Sequence, residues 1–251
     1  MQLSDEEKIL LARGEDAVRL ASKQYSVKTL GFLTPVEAIF LEKSIKAPVD
    51  VKILFYGGYE ECERTLFVAM PEFFEEEYRE TISVLEITGR NISELSHRDF
   101  LGSLMGLGVE RKTVGDILVF EDRAYVFVLR DMEDYILENM GKIGRHGVKI
   151  RAITPDELSL PEKKTEEICG TVSAPRLDAI VALCTRLSRG KASELIETDK
   201  VSVNWEVKNH ISIGLSEGDL ISVRGYGRFK LEKINGLSRK GRMHVVILKY
   251  I

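Results

Sequence analysis

The chain has 251 residues, is 44% hydrophobic and carries a formal net charge of −4, which suits a globular protein of two or three small domains. No apolar run approaches the roughly 20 residues of a membrane span, and an acidic start without a basic segment argues against a secretory signal. Cys62, Cys169 and Cys184 are odd in number and far apart, with neither metal spacing nor a disulfide framework, so a reducing cytoplasm is the expected compartment.

Residues 4–24 read as a helix. Ser4 can cap it, Glu7 sits where a capping box needs it, and Ile9, Leu10, Ala17, Val18 and Leu20 supply apolar contacts. Thr34-Pro35-Val36-Glu37 starts a second helix running to about Ile45, with Pro in the first turn and Glu three residues after Thr. Residues 52–56 and 65–70 read as strands around a Gly57-Gly58 turn. Residues 1–75 are therefore expected to form a small α/β domain. Gly57-Gly58-Tyr59 is read as a plain turn rather than a binding loop.

Residues 84–88 alternate as a strand, and 94–107 form a helix with Phe100, Leu101, Leu104 and Met105 on its apolar face. Strands at 116–120 and 124–130 are joined by Glu121-Asp122-Arg123, a hairpin-length link. Asp131 is expected to cap a helix that carries Ile136, Met140 and Ile143 and ends at Gly144. A last strand covers 148–153. The order β-α-β-β-α-β over residues 76–154 is the ferredoxin-like pattern, shared by RNA-recognition motifs and by many enzymes. Tyr125 and Phe127 share the face where such motifs carry stacking aromatics, but the basic-glycine-aromatic signature is absent. The plainer reading is that both rings pack against a helix or another domain. Lys149 and Arg151 alternate with Val148 and Ile150 and can extend a basic edge.

Residues 155–172 are polar and contain Pro155 and Pro161, and they read as a linker with one short strand near Ile168. Beyond it, residues 173–251 form a third domain, so the chain as a whole is α+β. Leu177, Ile180, Val181, Cys184 and Leu187 make one helical stripe; Ala192, Leu195 and Ile196 make a second. Ser188 can cap the second helix. Arg189 and Lys191 crowd that helix start, where the macrodipole disfavours cations and a capping box would put Glu or Gln in place of Lys191. Cations there fit an external anion bound at the corner, such as a phosphate, and their loss should leave the fold intact.

Val201, Val203, Trp205 and Val207 alternate with polar residues, which places Trp205 in the small domain's core. In the next strand Arg224, Tyr226, Arg228 and Lys230 share one parity, a basic face with an aromatic inside it. Arg239, Lys240 and Arg242 follow in a hairpin turn. Charge supports the reading. Residues 171–251 hold 14 Lys and Arg against 8 Asp and Glu, whereas residues 1–170 hold 22 against 32.

Catalytic constellations are wanting. His97-Arg98-Asp99 imitates the kinase catalytic triplet, but no Gly-rich phosphate loop precedes it and it lies in a helix. Arg176-Leu177-Asp178 imitates the segment that carries the catalytic Asp of pseudouridine synthases, but here it opens the third domain itself. His97, His146, His210 and His244 are scattered without zinc spacing.

Residues 176 to about 230 resemble the alpha-L RNA-binding domain, the S4-type module of ribosomal proteins. The likeness rests on Arg176-Leu177-Asp178, the run from Leu187 to Ala192, Leu195-Ile196, Val201 to Trp205 and Gly218-Asp219. Nearly the whole chain resembles the YlmH family. The residues that carry this are His97-Arg98-Asp99-Phe100-Leu101-Gly102, Gly115-Asp116-Ile117, Arg176-Leu177-Asp178 and Arg224-Gly225-Tyr226-Gly227-Arg228. That resemblance implies a bacterial, non-enzymatic RNA-binding protein with an RNA-recognition-like middle domain, acting on the ribosome in the rescue of stalled large subunits. The implied partners are structured RNA, chiefly large-subunit ribosomal RNA with tRNA as a second candidate, and no cofactor. Arg176, Ser188, Arg189 and Lys191 would grip phosphates, Lys208, Arg224, Arg228 and Lys230 would extend the grip, and Tyr226 would stack. Two alternatives stand beside it: an RNA-modifying enzyme, and a cell-division adaptor whose acidic N-terminal region meets protein partners.

Overall fold

The computed structural model describes residues 3–160, 165–237 and 241–251. The chain divides into two compact units, 1–159 and 160–251. In the first unit, helix α1 (Asp5–Gln24) starts at the capping box of Ser4 and Glu7, and strand β1 (Lys28–Thr29) follows. Helix α2 (Pro35–Ser44) starts at a second box, Thr34 with Glu37. Strands β2 (Val51–Tyr56) and β3 (Leu66–Pro71) complete a three-stranded antiparallel sheet of order β1-β3-β2. Every residue of β3 is buried because both faces of that strand are covered. Phe67 and Ala69 meet Ala17, Val18 and Leu41 of the helices. Leu66, Val68 and Met70 face the other way.

The next seven elements are β4 (Ile82–Gly89), α3 (His97–Gly106), β5 (Val114–Val119), β6 (Arg123–Leu129), α4 (Glu133–Asn139), β7 (Lys142–Ile143) and β8 (His146–Ile153). They form an antiparallel sheet of order β5-β6-β4-β8-β7. One face packs on α3 and α4 through Leu85, Ile87, Val126, Phe100, Leu104 and Ile136. One expectation fails here. Asp131 does not cap α4, whose N-cap is Met132 after a short 3-10 turn. Gly144 does not end that helix either; its φ of +55° turns the β7–β8 hairpin, and Ile143 lies in β7. Met140 N closes the last helical hydrogen bond, to Ile136 O at 2.9 Å, and by Lys142 the chain is already in strand β7.

The opposite face of the sheet carries Ile82, Val84, Tyr125 and Phe127, and these pack against Leu66, Val68, Met70 and Phe32 of the N-terminal sheet. Both rings are 0% exposed. A clamp holds the two sheets together: Asp116 on β5 accepts hydrogen bonds from Tyr59 Oη at 2.7 Å, Glu63 N at 2.8 Å and Arg64 N at 3.1 Å. The Tyr59 ring lies 4.9 Å from that of Phe127. Gly58, at φ +97°, passes so close to Phe127 that a Cβ there would sit 2.7 Å from the ring. The first unit is thus four layers deep, with helices outside and two sheets face to face within.

The second unit contains β9 (Thr165–Val172), α5 (Leu177–Thr185), α6 (Arg189–Glu197), β10 (Val201–Val203), β11 (Glu206–Val207), β12 (Leu220–Val223), β13 (Gly227–Leu237) and β14 (Met243–Tyr250). Its antiparallel sheet has the order β11-β10-β12-β13-β14-β9. Strand β9 lies inside the stretch read as a linker and pairs with β14 over eight residues. Both helices pack on one face, where Leu177, Ile180, Val181, Ala192 and Ile196 meet Val201, Val203, Ile221, Val223, Phe229, Leu231 and Ile247.

Trp205 is not in that core. Asn204 and Trp205 form a two-residue turn between β10 and β11, with φ of 48° and 65°. The reversal breaks the alternation that the sequence pattern assumed. It leaves Trp205 37% and Val207 60% exposed.

Candidate nucleic-acid interface

The Ser188 corner is built from the junction of α5 and α6. Ser188 is extended (φ −65°, ψ 152°) and its Oγ accepts from Lys191 N at 3.4 Å, capping α6 as expected. Asp178, in the first turn of α5, is 4% exposed, and its carboxylate is shared by two guanidiniums. Arg176 Nε donates to Oδ1 at 3.2 Å, and Arg189 donates to Oδ2. Burial pushes this carboxyl up, but the Arg189 and then the Arg176 contacts outweigh that and hold it below its usual range.

This pairing changes the reading of Arg189. The anion that offsets its charge at the start of α6 is supplied by the chain itself, the buried Asp178 carboxylate, and not by an external group alone. The N-terminus of α5 is also occupied: Ile213 O accepts from Leu177 N at 2.8 Å, and Ile211 O from Asp178 N at 3.2 Å. Among the described residues Lys191 makes no ion pair, and it is exposed. Arg176 and Arg189 are 40% and 58% exposed at their side chains despite the shared carboxylate. Three cations therefore meet solvent at one corner, two of them fixed in place by a buried acid.

The other candidates do not all join this corner. Arg228 and Lys230 alternate with Phe229 and Leu231, whose side chains enter the core under the helices. They therefore rise from the opposite face of the sheet, and Lys230 pairs with Glu232 at 2.9 Å. Arg224 and Tyr226 lie in the turn between β12 and β13, which Gly225 (φ +87°) and Gly227 (φ +112°) make possible. Both are exposed, Tyr226 by 39%. Arg224 N bonds Lys200 O at 2.9 Å, which ties that turn to the connection after α6. Lys208 Nζ pairs with Glu206. Arg242 donates to Thr171 O at 2.6 Å, bracing β9. Arg239 and Lys240 lie outside the described residues. Trp205, exposed beside this unit's edge, is the feature that alternation concealed; the Asn-Trp pair between two short apolar runs was the available signal.

In the first unit the aromatic platform is closed. Tyr125 and Phe127 lie under the N-terminal sheet, so no base can reach them in this fold. The uncovered end of the same face carries Arg123 and Arg151, both paired to the buried Glu86, at 2.9 and 2.7 Å. Asp122 and Glu157 engage them further. Those arginines are therefore largely neutralised, unlike the Ser188 corner. Among the described residues no cluster of His, Cys, Asp and Glu is arranged to hold a metal ion, and no helix is long and apolar enough to cross a membrane.

Residues 75–157, the span of the five-stranded sheet with its helices, match the family described as "Putative RNA-binding domain in YlmH". The chain is 34% identical over 233 residues to "Ribosome-associated protein quality control protein P2" of Bacillus subtilis (strain 168). That alignment covers 90% of this chain and 89% of the relative. Among solved structures, "Cell division protein ylmH from Streptococcus pneumoniae" superposes with a TM-score of 0.52 at 24% identity. The superposition covers 62% of this chain and 96% of that one. This last likeness is one of fold.

Proposed function

The chain belongs to the YlmH family, and on that premise we propose that it is a non-enzymatic protein of ribosome-associated quality control that binds structured ribosomal RNA on the large subunit. The binding surface in this proposal is the Ser188 corner of the second unit, with Arg176, Arg189 and Lys191 against phosphates. Arg224 and Tyr226, on the β12–β13 turn tied to Lys200 beyond the other end of α6, add a second contact in this proposal. The observation that carries the proposal is the corner itself. Two guanidiniums are held by a buried carboxylate and stand with Lys191 at the start of a helix. A short cation array with fixed geometry suits the phosphate spacing of a folded RNA, and it is charge-assisted without needing to order long side chains first. The name of the Bacillus subtilis relative supports the ribosomal context. Structured RNA could include tRNA held on the same particle, and the acidic first unit could meet protein partners.

Sedimentation of the full-length protein with separated ribosomal subunits tests the proposal. It should pellet with large subunits and not with small ones, and the fraction bound should fall as salt rises. Deleting the gene should leave the modified nucleotides of ribosomal RNA unchanged. Loss of one modified nucleotide would instead favour an RNA-modifying enzyme. Absence of ribosome binding at low salt would favour an adaptor.

A further inference from the structure

We propose that Trp205 is a base-stacking residue, whose ring at the tip of the β10–β11 hairpin stacks on an unpaired nucleobase of the RNA that the second unit binds. The inference rests on the RNA-binding reading above.

The turn is an unusual place for this side chain. Two-residue hairpin turns need left-handed backbone at both positions, and Asn-Gly is the pair that adopts it most easily. Asn204 at φ 48° obeys that preference. Trp205 at φ 65° does not, because an L side chain with a Cβ is crowded there and a bulky one is rare. The conformation persists because the turn is fastened to Asp219 and to Leu220, the first residue of β12, at three points. Asn204 N donates to Leu220 O at 2.8 Å, Leu220 N donates to Asn204 Oδ1 at 2.9 Å, and Asn204 Nδ2 donates to Asp219 Oδ1 at 2.8 Å.

The strain gains no place in the core, since Trp205 does not belong to the buried cluster beneath the helices and over a third of its surface meets solvent. A strained residue that its surroundings over-determine, outside the buried core and with its ring partly open to solvent at a hairpin tip, points to contact with a ligand. A rigid, exposed indole suits stacking on a base, which is tolerant of sequence and needs little side-chain ordering. Val207, 60% exposed on the adjoining edge strand, widens the apolar floor. Electrostatics also permit RNA. Glu206 is paired with Lys208, and Asp219 accepts from Asn204 Nδ2 and from Ser216 N at 2.8 Å. The stretch around them, residues 171–251, has an excess of six positive charges.

Trp205 is the chain's only tryptophan, so the full-length protein carries its own reporter. The probe is deproteinised large-subunit ribosomal RNA, titrated while tryptophan emission is followed and binding is measured separately by filter retention. Stacking predicts quenching that tracks binding. Trp205→Gly should bind roughly 5- to 150-fold more weakly. Its melting temperature should hold or rise, because glycine takes a left-handed turn without strain. Trp205→Phe should keep most of the affinity. Equal binding by wild type and Trp205→Gly, or binding without any change in emission, would overturn the inference and leave the RNA-binding reading standing. A fall in melting temperature in Trp205→Gly, with Trp205→Phe losing as much affinity, would make the ring a packing element and overturn it too. Quenching by RNA-free ribosomal protein but not by RNA would assign the tip to a protein contact. Failure of the wild type to retain any RNA would remove both readings.

Discussion

Asp178 is the residue on which the Ser188 corner turns. Its burial alone would disfavour the charged form, yet the paired Arg189 and Arg176 lower its pKa below the ordinary 3.8. A carboxyl depressed in the folded state adds stability above its unfolded pKa and gives it up as the pH falls through the folded value. Asp178→Asn should therefore destabilise the second unit at neutral pH. Breaking a buried pair costs about 3–5 kcal/mol, and the half-exposed guanidiniums reduce this to about 1–3 kcal/mol. The gap to wild type should close below the usual carboxylate range. Urea titrations at neutral and acid pH, followed by the emission of the single tryptophan in this unit, read that difference directly. A gap that persists undiminished at low pH would mean that the ion pairs are not its source. Local sequence signals revealed half of this arrangement. The Ser188 cap and the cation excess are contiguous features, but the pairing of Asp178 with Arg189 spans eleven positions and depends on how α5 and α6 cross.

At the scale of elements, the capping boxes at Ser4 and Thr34 were legible because they lie within four residues, and the βαββαβ order followed from periodicity. What stayed hidden were choices made by tertiary contact. Alternation in β6 shows that Tyr125 and Phe127 share a face, but it cannot say what covers them, and the N-terminal sheet does. Trp205 was misplaced because parity holds only while a strand continues, and Asn204-Trp205 reverses the chain. The buried platform makes its own prediction. Phe127→Ala should destabilise the first unit by about 3–5 kcal/mol, since the ring is enclosed by Tyr59, Gly58 and β3 and the gap cannot collapse easily. RNA affinity, measured well below the melting point, should be unchanged. Retained stability with weakened RNA binding would mean that this face opens and that the platform meets RNA.

At the scale of the molecule, charge is divided along the chain. Residues 1–170 carry a net −10 and residues 171–251 a net +6, so an acidic isoelectric point coexists with a basic C-terminal stretch. Association with RNA should then depend on few, well-placed cations, each released phosphate counterion adding roughly 0.7 to 0.9 to the slope of log affinity against log salt. The most direct measurement compares that slope, for full-length protein on purified large subunits, between wild type, the pair Lys191→Ala with Arg224→Ala, and the pair Lys23→Ala with Lys46→Ala. All four side chains are exposed, and the first pair leaves the Arg176–Asp178–Arg189 bridge intact. The first pair should lower affinity at every salt concentration and flatten the slope by about 1.4 to 1.8, while the second pair follows the wild-type line. Equal losses in the two pairs, or a first pair indistinguishable from wild type, would contradict binding through the C-terminal corner.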